Sequence, residues 1–398
     1  MDVTRQLRKI YEAHPYPAVG GRGPRAFWCL PPRAWIEGVW RLPTPPRRIL
    51  SAGCGTGNEV FALREAFPKA EIVGVDFSEH SLAIARRLAR RQRLRGIRFV
   101  EGDLSDSGLG RKIGGDFDFI TCHGVLAYVP RRDVALRTFA ELLAPEGAVY
   151  LGVNGAAHFS TRWRSALKAF GFDADAPMPD DERLPAVVEL LDTLTDDGIA
   201  PVSKREASFL PTDLFGPLIR TTSLQDFLAE CESAGLHFLA SQDARSPFRL
   251  AVNNESYRTL IPRSRAAVAL IMDAIQPRGF HNLLLSKRVP ISPPWDSPDD
   301  VAGWSPRMPE HAALSRVPRL RKSATGMRKA NVRSVPMNIQ VELRSPAWLL
   351  EVLRQSDGRR ALGALVAESG GSMRNGTLRK HLFLLHQLYL LEMIPPAA

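Results

Sequence analysis

Three alternating glycines in a short turn constrain the fold of this chain more than any other feature of its sequence. Gly53, Gly55 and Gly57 stand in the stretch SAGCGTGNE, between an apolar pair and a helical pattern that begins at Glu59. Glycine tolerates positive φ and lets another molecule approach the backbone closely, and the start of a helix offers unpaired N–H groups. The order of strand, glycine turn and helix therefore predicts a binding loop at the end of a buried strand.

Strand and helix patterns alternate regularly after this turn. A helix is predicted from Ser81 to Leu94, with Ser78 as its N-cap, and another from Arg131 to Leu143. Because such alternation is typical of parallel sheets covered by helices on both faces, we predict an α/β fold with a doubly wound, mostly parallel sheet of seven strands. The strands after the first are predicted at residues 71–76, 98–103, 117–122, 148–153, 236–240 and 281–286.

Two segments interrupt the alternation, at about residues 155–222 and 243–279. Both carry helical patterns, and a capped helix that starts at Ser223 lies between them. Excursions over the carboxyl ends of strands are where α/β proteins build their substrate pockets. We therefore expect both segments to form helical lids.

The length of 398 residues exceeds one ordinary core, so a large domain and a smaller one are expected. Proline and basic residues dominate from Pro290 to Pro336, which predicts a linker of limited order. Three short amphipathic helical patterns and a strand-like end follow, and they suggest a small winged-helix-like module. The predicted organisation is an N-terminal cap segment (1–44), a core domain (45–290), a basic proline-rich linker (291–336) and the module (337–398).

The net charge of +11 is unevenly distributed along the chain. Residues 305–335 hold eight Lys or Arg side chains against a single acid, and residues 86–98 hold seven arginines. A basic surface attracts polyanions such as nucleic acids. Solvated arginines on a surface helix and in a linker explain the same balance, and we favour that interpretation.

Several classes of protein and of site are not supported by the composition. No apolar run approaches the roughly 18–20 residues of a membrane helix, and the N-terminus lacks the apolar stretch of a secretory signal. We therefore expect a cytoplasmic protein without a membrane partner. The four cysteines form no CxxC pair and the nine histidines are dispersed, so no metal site is predicted.

The ligand of the glycine loop is constrained by its spacing and by two acids. The spacing Gly53-x-Gly55-x-Gly57 departs from the G-x-G-x-x-G pattern of dinucleotide sites. Asp76 ends the second predicted strand, where its carboxylate can accept hydrogen bonds from ribose hydroxyls; a bond to a charged acceptor contributes about 1.5–3 kcal/mol. Asp103 ends the third predicted strand and suits an adenine amino group.

Four motifs in this order resemble class I S-adenosylmethionine-dependent methyltransferases: SAGCGTGNE, VGVDFS, FVEGDL and FDFITCHGVLAYV. The resemblance covers about residues 45–155 and continues more weakly to residue 290. It implies a Rossmann-like fold and S-adenosylmethionine as cofactor, and the GxGxG spacing fits a cofactor without a pyrophosphate. It implies that the glycine loop lies against the amino-acid portion and ribose, that the acid of strand two holds the ribose, and that the residues after strand three hold the adenine: Gly53, Gly55, Gly57, Asp76, Asp103 and Leu104.

Two histidines are candidate general bases for the methyl acceptor. His123 ends the fourth predicted strand and His158 follows the fifth, and a general base adds about 10²- to 10⁴-fold to a rate. A packing or hydrogen-bonding role remains the alternative for each. Tyr128 and Asn154 are expected to line the same pocket. Tyr16, in the segment YEAHPYP, is expected either to close over the pocket or to pack against the sheet edge.

The acceptor is the least constrained part of the interpretation. The fourth strand ends in CHGVLA and lacks the Asn/Asp-Pro-Pro-Tyr signature of enzymes that methylate exocyclic amines. The first hypothesis is therefore methyl transfer to an oxygen or nitrogen of a small metabolite or natural product. The second is methylation of a polypeptide side chain such as lysine, docked by the C-terminal module. The third is a non-catalytic regulator that binds S-adenosylmethionine.

The C-terminal module bears on these alternatives. Its pattern DGRRALGALVAESGG, followed by a leucine-rich helix and LEMIP, resembles the winged-helix part of regulatory regions attached to some bacterial methyltransferases, some of which act on protein lysines. A winged helix binds DNA through one helix, and Arg379 and Lys380 lie on the last helical pattern. That helix is mostly leucine, which favours packing or a partner protein over nucleic acid.

Overall fold

The computed structural model describes residues 3–17, 45–172, 183–193, 209–242, 264–316, 327–335 and 339–396, together with positions 31, 33, 36 and 39. The chain divides into two compact units. Unit 1 comprises Met1–Leu30, Thr44–Phe238 and Asp273–Arg288, and unit 2 comprises Pro31–Pro43, Leu239–Met272 and Val289–Ala398. Among the described residues, no helix has both the length and the apolar character needed to cross a bilayer.

The described residues contain a seven-stranded sheet with the order β3-β2-β1-β4-β5-β7-β6. The pairs from β3 to β5 are parallel, and β5 pairs with β7 in antiparallel register. The order reverses direction between β1 and β4, which is where open α/β sheets bind their ligands. The predicted fold class is therefore confirmed. The strands are β1 (Arg48–Ala52), β2 (Glu71–Asp76), β3 (Ile97–Glu101), β4 (Phe117–His123), β5 (Leu143–Asn154), β6 (His237–Ser241) and β7 (Phe280–Ser286).

The central strands are buried on both faces because helices cover the sheet above and below. In β1 every residue after Arg48 is buried, and the second half of β5 is buried throughout. Strands enclosed in this way read as nearly continuous apolar runs rather than as alternating patterns. Phe119 in β4 and Tyr150 in β5 are fully buried aromatic residues of this core.

Two helix starts confirm the predicted caps. The Ser78 hydroxyl accepts a hydrogen bond from the backbone N–H of Ser81, and the Ser223 hydroxyl accepts one from Asp226, both at 3.1 Å. Each cap satisfies one of the N–H groups that a helix leaves unpaired at its start. The helices up to β7 are α1 (Val3–Ala13), α2 (Asn58–Ala66), α3 (Glu79–Arg91), α4 (Leu109–Ile113), α5 (Arg132–Leu142), α6 (Phe159–Ala169), α7 (Leu184–Thr193), α8 (Leu224–Ser233) and α9 (Arg265–Ile275).

The first predicted insertion, at residues 155–222, is helical in its described part and has its own apolar cluster. Trp163 of α6, Leu191 of α7 and Phe209 pack together there, next to a π-helical turn at Leu210–Leu214. Of the second predicted insertion, residues 243–263 lie outside the described part of the chain, and α9 covers 265–275.

Unit 2 is built on a leucine-rich core. A three-stranded antiparallel sheet has the order β11-β10-β9, and β12 pairs with β8. Three helices follow the larger sheet in sequence, close to the predicted helical patterns. The elements are α10 (Pro298–Ala302), β8 (Ser305–Arg307), β9 (Ala313–Arg316), β10 (Met327–Ser334), β11 (Ile339–Pro346), α11 (Ala347–Arg354), α12 (Leu362–Glu368), α13 (Gly376–Gln387) and β12 (Glu392–Ile394).

The predicted linker at 291–336 is wrong in its described part, because that part contains α10 and three strands. In β10, Ala330, Val332 and Ser334 are buried, while Arg333 between them is exposed. Basic residues stand among buried small or apolar ones, so the segment is a half-buried strand. Its composition, however, is similar to that of a linker. The predicted boundary at residue 337 accordingly falls between the paired strands β10 and β11. Residues 317–326 and 336–338 lie outside the described part.

Candidate functional site

A cleft opens at the carboxyl ends of the parallel strands of unit 1. Its empty volume is about 940 Å³, part of which is open to solvent. Most of the residues predicted for cofactor binding line it, together with two of the predicted acceptor-pocket residues and one predicted base. These are Gly53, Gly55, Asp76, Asp103, Leu104, Tyr16, Tyr128 and His123.

The glycine loop forms the floor of the cleft and requires glycine at two positions. Gly53 has φ +77° and Gly55 has φ +50°, the left-handed region that favours glycine. A Cβ atom on Gly55 would overlap the backbone carbonyl oxygen of Tyr16, and one on Gly53 would overlap the side chain of Val125. The third glycine, Gly57, also has a positive φ of +96°, but it is the N-cap residue of α2 and the cleft lining does not include it.

Asp76 is fixed at the end of β2 by backbone groups. Its Oδ2 atom accepts the N–H of Gly55 at 2.8 Å, and its Oδ1 atom accepts the N–H of Ser78 at 2.9 Å. Burial raises the pKa of Asp76, and these backbone hydrogen bonds oppose that rise. A carboxylate has about four lone-pair sites, so this carboxylate can accept a further hydrogen bond beyond those from Gly55, Ser78 and Phe77.

Asp103 and Leu104 follow β3, one strand beyond Asp76. The Oδ1 atom of Asp103 accepts the N–H of Ser105 at 2.7 Å, and Leu104 is buried. The order Asp103, Asp76, Gly53 across β3, β2 and β1 runs from one end of the cleft towards its middle. This order matches the base and sugar of a nucleoside, so the residues present fit the nucleoside portion of S-adenosylmethionine.

Glu59 also lines the cleft, and sequence reasoning did not assign it to the site. Its Oε2 atom accepts the Ser51 hydroxyl at 2.6 Å and the Thr121 hydroxyl at 2.9 Å. Burial raises the pKa of Glu59 from its ordinary value near 4.5 to about 6, although the two hydroxyls lower it. The sequence signal is the acid in GNE, which the helical pattern alone assigns to the start of a helix.

The N-terminal segment supplies one wall of the cleft. The Thr56 backbone N–H donates to the carbonyl oxygen of Tyr16 at 3.2 Å, and the Thr56 hydroxyl donates to that of Pro17 at 2.8 Å. The Tyr11 ring lies 5.6 Å from the Phe77 ring between centroids, and Tyr11 lines the cleft as well. Of the predicted cap segment 1–44, most residues after Pro17 lie outside the described part of the chain.

His123 lines the opposite end of the cleft and is engaged in packing. Its ring stacks on Tyr150 at 6.0 Å and lies 4.9 Å from Phe280. Its Nε2 atom lies 3.0 Å from the amide oxygen of Asn282; since that oxygen only accepts, Nε2 is assigned as the donor. Burial lowers the pKa of His123 to about 4, so the ring is neutral at pH 7 and only weakly basic.

Tyr128 stands beside His123 in the lining and is paired with an acid that sequence reasoning missed. The Tyr128 hydroxyl donates to the Oδ1 atom of Asp213 at 2.6 Å, and the Thr212 hydroxyl donates to Oδ2 at 2.9 Å. Burial and the charge of Asp213 raise the pKa of Tyr128 well above its ordinary value, so the phenol stays protonated. The Asn154 side chain also contacts this hydroxyl, although Asn154 is not part of the lining.

The structure does not support the prediction that His158 acts as a base. His158 is the N-cap of α6: its Nδ1 atom lies 2.6 Å from the Ser160 hydroxyl and accepts the Ser160 backbone N–H. Its ring is buried against Phe159 at 4.1 Å between centroids, and it is outside the cleft lining. The turn after β5 uses this histidine to start a helix.

Comparisons with known proteins agree with this geometry. Residues 44–163 match a family model described as a methyltransferase domain. An uncharacterised protein of Synechococcus is 34% identical over 157 residues, which cover 38% of this chain and 37% of that protein. A trans-aconitate 2-methyltransferase of Acidovorax is 41% identical over 75 residues, covering 19% of this chain and 27% of that enzyme.

Among solved structures, PKMT2 of Rickettsia typhi resembles the chain over nearly its whole length. PKMT2 from Rickettsia typhi in complex with AdoHcy matches with a TM-score of 0.56 and 15% identity, covering 95% of this chain and 77% of that one. At this identity the likeness concerns the fold. The chain spans well under half the length of the Synechococcus and Acidovorax relatives that it matches.

Proposed function

We propose, from the premise that residues 44–163 form a methyltransferase domain of class I, that this chain transfers the methyl group of S-adenosylmethionine to a nucleophile on a polypeptide side chain. The observation that supports the cofactor is the placement of Asp76. It lines the cleft and is held by Gly55 of the glycine loop and by Ser78, with acceptor capacity left on its carboxylate. Asp103 and Leu104 then hold the adenine, and the glycine loop lies under the ribose and the amino-acid portion.

Methyl transfer requires the protein mainly to align the acceptor nucleophile with the methyl group of the cofactor. The bound sulfonium supplies an activated methyl group, and alignment of reactants provides about 7–11 kcal/mol of rate enhancement. Because His123 is a weak base with Nε2 engaged by Asn282, its role is to shape the end of the cleft rather than to take a proton. Methyl transfer from S-adenosylmethionine to an amine leaves S-adenosylhomocysteine and a proton, which is released to water.

The acceptor end of the cleft favours a nucleophile that carries a hydrogen-bond donor. The Tyr128 hydroxyl donates its hydrogen bond to Asp213, so its oxygen can serve a further partner only as an acceptor. An amine or hydroxyl can donate to that oxygen, whereas a polycarboxylate such as aconitate would meet the negative charge of Asp213. An amine is therefore a better acceptor here than the substrate named for the Acidovorax relative.

Two further facts support a polypeptide acceptor. Unit 2 is a folded body with its own apolar core, larger than the module predicted at 337–398, and chemistry on a small metabolite does not require such a unit. The likeness to PKMT2 of Rickettsia typhi also extends over 95% of the chain rather than over the methyltransferase domain alone. The role of unit 2 would then be to dock the polypeptide.

A small metabolite is the second candidate acceptor. It is favoured by the 41% identity with the Acidovorax trans-aconitate 2-methyltransferase over 75 residues. The Tyr128–Asp213 pair restricts this candidate to metabolites with an amine or a hydroxyl. A regulator without catalysis is the third possibility, and it would bind the cofactor but transfer nothing.

One labelling experiment separates the three candidates. The protein is incubated with methyl-labelled S-adenosylmethionine and a lysate of its source, and label is counted in protein bands and in the small-molecule fraction. Label in a protein band supports the proposal, label only in small molecules supports the second candidate, and bound but untransferred label identifies a regulator. Asp76→Ala is the control that abolishes cofactor binding; if it binds as well as the wild type, the assigned ribose contact is wrong.

A further inference from the structure

A carboxylate oxygen in the floor of the cleft has no hydrogen-bond partner. Glu59 is 6% exposed, and its Oε1 atom is buried without a partner among the described residues. The other oxygen, Oε2, is fully engaged by the hydroxyls of Ser51 and Thr121. Buried polar atoms without partners are rare in folded proteins, and each one calls for an explanation such as a missing ligand.

No positive charge of the described residues offsets this acid. Burial is the dominant influence on its pKa, followed by the two neutral hydroxyls, and no basic side chain contributes. An unpaired carboxylate in an apolar surrounding is costly, so it either binds a proton or pairs with a cation. Glu59 lines the cleft, so its side chain lies next to the space that a bound ligand would occupy.

The position of Glu59 in the sheet indicates which part of the ligand it meets. Its two hydroxyl partners belong to β1 and β4, which are neighbours at the point where the strand order reverses. The proposed adenine and ribose contacts lie on the other side of β1, at the ends of β3 and β2. The portion of the cofactor that lies beyond the ribose, towards β4, is its amino acid.

From these observations we infer that Glu59 receives the α-ammonium group of the cofactor's amino-acid portion on Oε1. The inference rests on the proposed function, since it takes S-adenosylmethionine as the ligand. The hydroxyls of Ser51 and Thr121 fix the carboxyl group so that one oxygen is held by the sheet and the other is left for the ligand. Glu59 thereby binds the amino group of the cofactor, as Asp76 binds its ribose.

A purely structural role makes a different prediction. If Glu59 only ties β1 to β4 through Oε2, its substitution weakens every ligand of the cleft to the same extent. If Oε1 binds the ammonium group, only ligands that carry this group are affected. Glu59→Gln separates the two roles, because its amide oxygen can still accept the two hydroxyls while the charge is lost.

The test is a binding cycle measured by isothermal titration calorimetry on the full chain. The ligands are S-adenosylhomocysteine and its desamino analogue, which lacks only the α-amino group. We expect Glu59→Gln to weaken S-adenosylhomocysteine about tenfold or more, since a hydrogen bond between charged groups is lost, and to leave the desamino analogue unchanged. Glu141→Gln, an exposed acid in α5, is the charge-matched control and should change neither affinity.

Each other outcome overturns the inference. Equal weakening of both ligands would show that Glu59 only holds the strands, and unchanged binding of S-adenosylhomocysteine would show no contact at all. Should Glu59→Gln fail to fold, wild-type protein decides: equal affinity for the two ligands overturns the ammonium contact alone. Wild-type protein that binds neither ligand would overturn the proposed cofactor together with this inference.

Discussion

Two buried acids line the cleft, Asp76 and Glu59, and they differ in the hydrogen-bond partners of their carboxyl groups. Asp76 accepts backbone N–H groups on both oxygens, and such bonds favour the charged form. Burial raises the pKa of both acids. Glu59 accepts only neutral hydroxyls, on one oxygen, and its pKa rises to about 6. The first acid is thus prepared as an acceptor, while the second is destabilised until a cation or a proton reaches it.

This difference predicts a pH-dependent stability in the unligated protein. The pKa of Glu59 is raised from 4.5 to about 6 on folding, so the folded state binds more protons than the unfolded state in that window. Stability from this group is present below pH 4.5 and is lost as the pH rises through 6. One pKa unit corresponds to about 1.4 kcal/mol, so the loss is about 2 kcal/mol.

Urea unfolding at pH 4.5 and at pH 7.5 measures this loss. From pH 4.5 to pH 7.5, the free energy of unfolding of the wild type should fall by about 2 kcal/mol relative to that of Glu59→Gln. Glu141→Gln should show the same pH dependence as the wild type. A constant difference between wild type and Glu59→Gln across this range would contradict the buried, cation-free environment assigned to Glu59.

At the scale of elements, the glycine loop and the N-terminal segment form one structural unit. Tyr16 and Pro17 receive both hydrogen bonds that Thr56 donates, and Gly55 lies so close to Tyr16 that a side chain would not fit. The loop between β1 and α2, which is the proposed cofactor loop, is therefore packed directly against the N-terminal segment. A substitution in the loop should therefore change the stability of the N-terminal segment.

Gly55→Ala tests this coupling. Alanine at φ +50° costs about 1–2 kcal/mol, and its Cβ atom must displace Tyr16. We expect faster hydrogen–deuterium exchange in residues 3–17 and weaker binding of S-adenosylhomocysteine. Gly115→Ala is the control, because nothing lies within 4 Å of a Cβ atom there. Unchanged exchange in residues 3–17 would show that the segment does not depend on the loop.

How far the sequence predicts this site depends on the distance between partners along the chain. The sheet, the helix caps and the positions of Gly53, Asp76 and Asp103 follow from local patterns, because strand ends in a doubly wound fold meet at one edge. The pairing of Tyr128 with Asp213 joins residues 85 apart, and no local pattern encodes it. His158 was assigned by its position after β5, but the same position also starts a helix.

Strand β10 shows a second reason why a sequence-based prediction can be wrong. Its composition and its periodicity indicate different structures. Arginine and lysine content predicts a linker, while the alternating burial of Ala330, Val332 and Ser334 is that of a strand.

Val332→Ala should therefore lower the free energy of unfolding by about 1–3 kcal/mol. The control Val335→Ala, 76% exposed, should stay within about 0.5 kcal/mol of the wild type. Equal effects in chemical denaturation would restore the linker interpretation.

At the scale of the whole molecule, unit 2 is not a terminal appendage. It includes Leu239–Met272, which the chain completes before it returns to unit 1 at Asp273–Arg288. Val268 of α9 belongs to the apolar cluster of unit 2. On the same helix, Arg265 donates to the carbonyl oxygen of His386 at 2.6 Å and lies over the Tyr389 ring at 4.3 Å. Residues of α9 thus depend on a segment more than a hundred positions later.

This interleaving predicts the outcome of truncation. A chain that ends at Arg288 keeps every residue of unit 1 but leaves Val268 of α9 without the apolar cluster in which it is buried. The exposed apolar surface should lower the yield of soluble protein and broaden thermal unfolding, although the cofactor residues are all present. Size-exclusion chromatography and a thermal melt, with and without S-adenosylhomocysteine, measure both effects. If the truncated chain is instead monomeric, melts sharply and binds S-adenosylhomocysteine like the full chain, then Leu239–Met272 is stable without residues 289–398 and the assigned unit 2 is wrong.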